Sequence, residues 1–313
     1  MEFKGQVIKS TGLWYQVRKE DGQMVDCRIV GKLKLKGIKS TNPVAVGDRV
    51  WCRMEDEEKA LITEIEKREN YIIRRSTNLS KQTHIIAANI DQVFLLVTLT
   101  EPYTTTGFID RFLITSGAYH IPAVLVFNKL DEHDEKLDMR LSEYLETYDK
   151  AGYECLQMSA LKQINTDKIA QRMKNKTTLL AGHSGVGKST FANAIQPGLD
   201  LKTAEVSQLH KQGKHTTTFA EMFPLDFGGF LIDTPGIKSF GVYDIEKKEI
   251  SHYFPEMLKF LGDCKFNDCM HISEPHCAVR AAYENGQIAY TRYKNYLEII
   301  EDDEGPYRVD IYA

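Results

Sequence analysis

The 313-residue chain contains no apolar run approaching the roughly 18 residues of a membrane-spanning helix. It opens Met-Glu-Phe-Lys-Gly, without the apolar stretch of a secretory signal, so a cytoplasmic protein with no membrane contact is expected. Basic charge is not in excess: 40 Lys and Arg stand against 44 Asp and Glu, a net charge of -4, which excludes binding to nucleic acid by bulk charge alone. There is no internal repeat and no low-complexity tract, so the units it holds differ from one another. Cysteine is sparse, six in all, and three of the six crowd into Cys264 to Cys277. In a reducing compartment such a group points to metal rather than disulfides.

What is present allows a sizeable core. Hydrophobic residues make up 42% and charged residues 27%, an ordinary globular mix, and the length suggests two or three compact units. Charge is uneven along the chain. Arg28, Lys32, Lys34, Lys36 and Lys39 form a basic stretch with no acid among them, whereas Glu301, Asp302, Asp303 and Glu304 form an acidic run to which no role is assigned.

Residues 1 to about 70 read as short strands. Gln6–Ile8, Leu13–Val17, Met24–Ile29, Arg49–Cys52 and Leu61–Ile65, separated by Gly, Asp, Asn and Pro, predict a small β-barrel. Glu66–Arg75 reads as a charged passage out of it. From Asp91 the texture changes. Val93–Val97, Ala123–Phe127, Thr178–Ala181 and Phe230–Ile232 read as strands buried on both faces, with helical stretches at 108–119, 135–150, 164–174 and 188–196 between them. That alternation predicts an α/β domain with a mostly parallel sheet. After about Ser239 the pattern is helical, interrupted by the cysteine group.

Gly182-His-Ser-Gly-Val-Gly187-Lys188-Ser189 fits G-x-x-x-x-G-K-[ST], with an apolar strand before it and a helix after. Glycines let the backbone wrap tightly and aim its N–H groups at phosphate oxygens, and the helix N-terminus adds a favourable dipole. Lys188 is expected on the β- and γ-phosphates and Ser189 on Mg²⁺. Gly182, Ser184, Gly185, Val186, Gly187, Lys188, Ser189 and Thr190 are the candidate phosphate-side residues. Asn128, Lys129 and Asp131 follow an apolar strand as Asn-Lys-x-Asp. The Asp131 carboxylate can accept from both guanine N1–H and N2–H₂, so the nucleotide is read as a guanine nucleotide. Ser159 and Ala160 are either the loop that closes over the base or a plain strand-end turn.

Asp233-Thr-Pro-Gly236 follows an apolar strand and has the form of a switch that meets the γ-phosphate, Asp233 through Mg²⁺ and Gly236 through its N–H. Between it and the phosphate loop lies Gly213-Lys-His-Thr-Thr-Thr218, where one threonine would join the Mg²⁺. Thr217 is favoured, with Thr216 and Thr218 as alternatives. After Gly236, where a water-orienting Gln is usual, stands Ile237. Either hydrolysis is intrinsically slow or another group acts. His215 is the nearest candidate, its alternative being an ordinary surface or packing histidine.

The motif order is unusual, because the base-reading residues precede the phosphate loop and both switches. A circular permutation of this kind keeps the fold when the old ends lie close together. It leaves the C-terminal unit directly after Gly236, so movement there would pass to whatever follows.

Cys264-x₄-Cys269-x-His271-x₅-Cys277 offers three thiolates and an imidazole, a donor set for one structural Zn²⁺. His276 is the competing imidazole. In the barrel, Trp14, Tyr15, the alternating Lys32, Lys34 and Lys36, and Lys39 are candidates for contact with RNA, and the bland alternative is a lysine-protected edge strand. Arg280, Arg292 and Lys294 with Tyr290, Tyr293 and Tyr296 form a second candidate RNA face, or else packing residues.

Taken together, Asn-Lys-Leu-Asp at 128–131, the phosphate loop at 182–189, Gly-Lys-His-Thr-Thr-Thr at 213–218, Asp-Thr-Pro-Gly-Ile at 233–237 and the Cys-Cys-His-Cys set resemble the ribosome small-subunit-dependent GTPase A family. The resemblance spans nearly the whole chain. It implies an N-terminal oligonucleotide-binding-type barrel (1–70), a circularly permuted α/β P-loop GTPase domain (71–238) and a mostly helical C-terminal zinc domain (239–313). It further implies a protein that hydrolyses GTP to GDP with Mg²⁺, and nothing in the sequence demands more than a monomer. Its partner would be the small ribosomal subunit and its rRNA, acting late in assembly, with hydrolysis stimulated by the subunit and coupled to release.

Overall fold

Alternation of side chains shapes the first five strands. The computed structural model describes residues 1–29, 43–56, 58–75, 83–199, 201, 220–233 and 244–302. β1 (Glu2–Ser10), β2 (Tyr15–Lys19), β3 (Met24–Ile29), β4 (Arg49–Met54) and β5 (Lys59–Ile65) each turn one row of side chains inward. Burying that row curls them into a closed barrel of order β1-β2-β3-β5-β4, with β4 returning to β1 and β3 parallel to β5. Val7, Tyr15, Val17, Cys27, Cys52 and Ile62 fill it.

The passage read as charged carries a strand. β6 (Tyr71–Arg75) pairs antiparallel with β7 (Thr83–Ala88). Ile72 and Ala87 enter the central core, and that burial outweighs the charges around them.

The central domain follows as β8 (Gln92–Val97), α1 (Thr106–Ala118), β9 (Ala123–Phe127), α2 (Glu135–Lys150), β10 (Glu154–Gln157), α3 (Thr166–Met173), β11 (Thr177–Ala181), α4 (Lys188–Ile195), β12 (Glu221–Pro224) and β13 (Phe230–Asp233). The order is β10-β9-β8-β11-β13-β12, parallel except for β12. All of β8 is buried because helices cover both faces: Val93, Leu95 and Val97 pack with α1 and α2, Phe94 and Leu96 with α3 and α4. β12 has no counterpart in the sequence reading. It carries the sheet onward, since Glu221 pairs with Lys9 of β1 and the two side chains form an ion pair of 2.9 Å. Barrel and central sheet are thus one hydrogen-bonded sheet.

Beyond the sheet come a 3-10 turn (Lys247–Tyr253), α5 (Pro255–Leu258), α6 (Ala278–Glu284) and α7 (Tyr290–Glu301). Their core of Ile250, Phe254, Met257, Val279, Tyr296 and Ile299 also takes in Ile114 of α1. Between α1 and α7 lies a buried ionic cluster. The Arg292 guanidinium donates to Asp110 at 2.5 Å and to Glu256 at 2.6 Å, and Asn295 and Tyr148 also donate to Asp110. Burial pushes the Asp110 carboxyl up, against the pull of Arg292.

This cluster decides for packing at three of the six residues of the second candidate RNA face, while Tyr290 and Lys294 are exposed. Arg292 and Tyr296 are each 1% exposed and Tyr293 is 7% exposed, so their charge and rings are spent on packing. It also fastens the C-terminal unit, which follows Gly236 in the chain, to α1. Among the described residues no helix is long and apolar enough to cross a membrane.

Candidate functional site

The carboxyl ends of β8, β9, β11 and β13 lie together, where open α/β sheets take their ligands. β11 ends at Ala181, the chain wraps through 182–187, and α4 starts at Lys188. The wrap requires glycine at Gly187. Its φ is +99°, and a Cβ there would lie 2.3 Å from the Asn128 amide nitrogen. Val186 anchors the loop in the core under α4, while Ser184 and Gly185 face solvent. Ser189 and Thr190 occupy the first turn of α4, half-buried. Lys188 Nζ sits inside the wrap, donating to the Gly182 carbonyl at 2.8 Å and the His183 carbonyl at 2.7 Å. Burial pushes this lysine down to about 8, and the Asp233 carboxylate nearby opposes the shift.

Asn128, buried at the end of β9, joins the loops. Its Nδ2 donates to the Val186 carbonyl at 2.8 Å, and its Oδ1 accepts from the Ala160 N–H at 2.9 Å. Asp131 is exposed and accepts from Ser159 Oγ. Lys129 donates to the Glu101 carbonyl at 2.7 Å. The structure therefore brings together Asn128, Lys129, Asp131, Ser159, Ala160 and the loop 182–190, with Asp233 at the end of the neighbouring strand β13. His215, Thr216, Thr217, Thr218, Gly236 and Ile237 lie outside the described residues.

Two features of this site have no counterpart in the sequence reading. A Cβ on Gly185 would lie 3.5 Å from Pro102, and the Phe108 ring of α1 lies on His183 with centroids 3.9 Å apart and planes tilted by 33°. Both join residues far apart in the chain, and no local spacing announces them.

The second candidate site is the cysteine group. One ligand atom from each of Cys264, Cys269, His271 and Cys277 falls within 4.8 Å of all the others. His271 offers Nδ1, 3.6 Å from Cys264 Sγ and 3.4 Å from Cys277 Sγ. A tetrahedral ion with S and N ligands would set these edges at about 3.6 Å, so the donor set and its spacing fit zinc. Burial pushes the Cys269 thiol up to about 12 and lowers His271, so a bound cation is what would hold the thiols as thiolates. His276 is exposed and outside the group. The loop that carries His271 is held from three sides. Tyr293 Oη donates to the His271 carbonyl at 2.7 Å and Tyr296 Oη to the Met270 carbonyl at 2.8 Å, while Glu274 accepts from the Met270, Ile272 and Ser273 N–H groups.

On the barrel, one candidate for RNA contact fails. Tyr15 is 1% exposed because its strand position points inward, so its ring fills the barrel. Trp14 is half-buried, with the Arg28 guanidinium 4.9 Å and the Lys59 ammonium 5.9 Å from its ring. Lys32, Lys34, Lys36 and Lys39 lie outside the described residues. The sequence reading passed over Trp51, which is 37% exposed with Lys4 stacked on it at 4.8 Å. Alternation was the missed signal: Val50 and Cys52 point inward, so Trp51 points out.

Comparison with known proteins agrees with the resemblance drawn from the motifs. The sequence profile described as RsgA GTPase matches residues 65–243, and that of the RsgA N-terminal domain matches residues 4–62. The small ribosomal subunit biogenesis GTPase RsgA of Christiangramia forsetii is 56% identical over 312 residues, 99% of each chain. The protein of the same name from Bacteroides fragilis is 54% identical over 306 residues, 97% of this chain and 99% of its own. Among solved structures, YjeQ from Thermotoga maritima superposes with a TM-score of 0.80 at 34% identity, covering 96% of this chain and 98% of its own. YloQ, described as a circularly permuted GTPase, gives 0.73 at 30% identity, covering 96% and 94%.

Proposed function

The chain belongs to the RsgA GTPase family, and from that premise we propose that it binds GTP at the carboxyl ends of β8, β9, β11 and β13, hydrolyses it to GDP and phosphate, and acts in late assembly of the small ribosomal subunit. The subunit stimulates the hydrolysis, and hydrolysis releases the protein. The observation that carries this reading is Asn128, whose one side chain links the phosphate loop to the base-side loop.

Each part of the site then has its task. Asp131 accepts from the guanine edge, with Ser159 holding its carboxylate and Ala160 closing over the base. Lys188 exchanges its two loop carbonyls for β- and γ-phosphate oxygens, joined by the N–H groups of 182–190. Ser189, Asp233 and Thr217 are the residues assigned to Mg²⁺, which when bound neutralises charge between the phosphates. The Gly236 N–H meets the γ-phosphate, and His215 orients the attacking water in place of the glutamine that Ile237 replaces. Cys264, Cys269, His271 and Cys277 hold one zinc ion, which ties the C-terminal loops together. The units are the barrel (1–70), the permuted GTPase domain (71–238) and the zinc domain (239–313), acting as a cytoplasmic monomer. Trp14 with Lys32, Lys34, Lys36 and Lys39 is the barrel's contact to rRNA.

The test is GTP turnover by the purified chain alone, with small subunits, and with large subunits as control. Strong stimulation by small subunits alone, lost in His215→Ala, is the expected result. A chain that binds GTP but gains nothing from small subunits would overturn the reading.

A further inference from the structure

We propose that Phe108 positions the phosphate loop, and that the metal knuckle 264–277 sets the position of Phe108 through α7. This rests on the reading of the knuckle as a metal site and of the loop as a nucleotide site.

The path runs through hydrogen bonds, one helix and a ring contact. α7 presents two functional faces. On one, Tyr293 and Tyr296 donate to the backbone carbonyls of the ligand His271 and its neighbour Met270. On the other, Arg292 and Asn295 donate to Asp110 of α1. Two residues before Asp110 is Phe108, whose ring lies tilted on His183, the second residue of the phosphate loop. The connection leading into α1 brings Pro102 near Gly185 of the same loop, where a Cβ would lie 3.5 Å from it.

α1 has little freedom to absorb a displacement. Ile109, Phe112 and Leu113 are in the central core, Ile114 is in the C-terminal core, and a Cβ on Gly117 would come within 3.3 Å of Tyr253. Close-packed interiors transmit shifts instead of dissipating them. The Asp110–Arg292 contact is buried on both sides, so it breaks only at large cost. An ordered knuckle therefore holds α7, α7 holds α1, and α1 holds the loop in its phosphate-ready form. This route does not pass through either switch.

The test uses the full chain, with metal content and affinity for a fluorescent GDP measured before and after chelation. Removal of metal is expected to weaken GDP binding about fivefold or more, the scale of ordinary site-to-site coupling. In Phe108→Leu, which keeps bulk but not the ring, GDP binds more weakly from the start and chelation changes it little. Phe108→Tyr, which keeps a ring on His183, restores both the affinity and its dependence on metal. Tyr293→Phe is a second probe, because it leaves every metal ligand in place: metal is retained and GDP affinity still falls. A metal-depleted chain that binds GDP as tightly as the loaded one overturns the proposal while leaving the metal reading intact. A chain that carries no metal and takes up none overturns both.

Discussion

The two ends of the molecule are joined to the nucleotide domain in different ways. The N-terminal barrel meets it through the β1–β12 pairing with its exposed Lys9–Glu221 ion pair, through the Val46–Ala87 pairing, and through Ile8 and Val46, which lie in the central core. The C-terminal unit meets it through a shared core and an ionic cluster in which Arg292 and Asp110 are almost wholly buried. An exposed pair is screened by water and yields easily, whereas a buried one holds its geometry because each charge left alone would be stranded. The barrel is therefore joined mainly by backbone pairing and apolar burial, and the C-terminal unit by buried charge on α1.

The largest expected effect comes from breaking the buried side of this comparison. Arg292→Ala strands Asp110 and Glu256 and should lower stability by about 3–5 kcal/mol, read by chemical denaturation. A loss under about 1 kcal/mol would mean that the cluster fastens nothing. The next effect concerns the site between the two ends. Burial lowers Lys188 to about 8 in the free loop, whereas bound phosphate favours the charged lysine. Affinity for GDP is therefore full below that value and should fall about tenfold per pH unit above it. An affinity that stays level from neutral pH to well above 8 would show the lysine to be charged throughout. The smallest effect is at the sheet edge. Lys9→Ala should change stability by no more than about 1 kcal/mol and leave the pH profile of GDP binding unaltered. A larger loss would erase the distinction between the two ends.

Legibility followed the same division. The helix at 135–150 and the strand at 123–127 fall where sequence pattern put them, because each has a face or a run that only one element can bury. The three nucleotide-side motifs converge because each sits at the end of a parallel strand. The metal group was legible from spacing alone, since four donors in one short segment have little else to do. β6, β7 and β12 were not legible, because their partners lie far away and their own composition is mixed.

The sequence by itself therefore picked out the candidates for phosphate, guanine and metal, and the structure brings each group together. Those tasks demand fixed residue types at fixed local spacing. Only the tertiary structure decided that Tyr15 points into the barrel, that Arg292 and Tyr296 serve a core instead of a surface, that Phe108 lies on His183 and that β1 continues the central sheet through β12. Each of these depends on which distant segments are brought side by side. That is set by the summed burial of whole faces, which a short stretch of residues does not reveal.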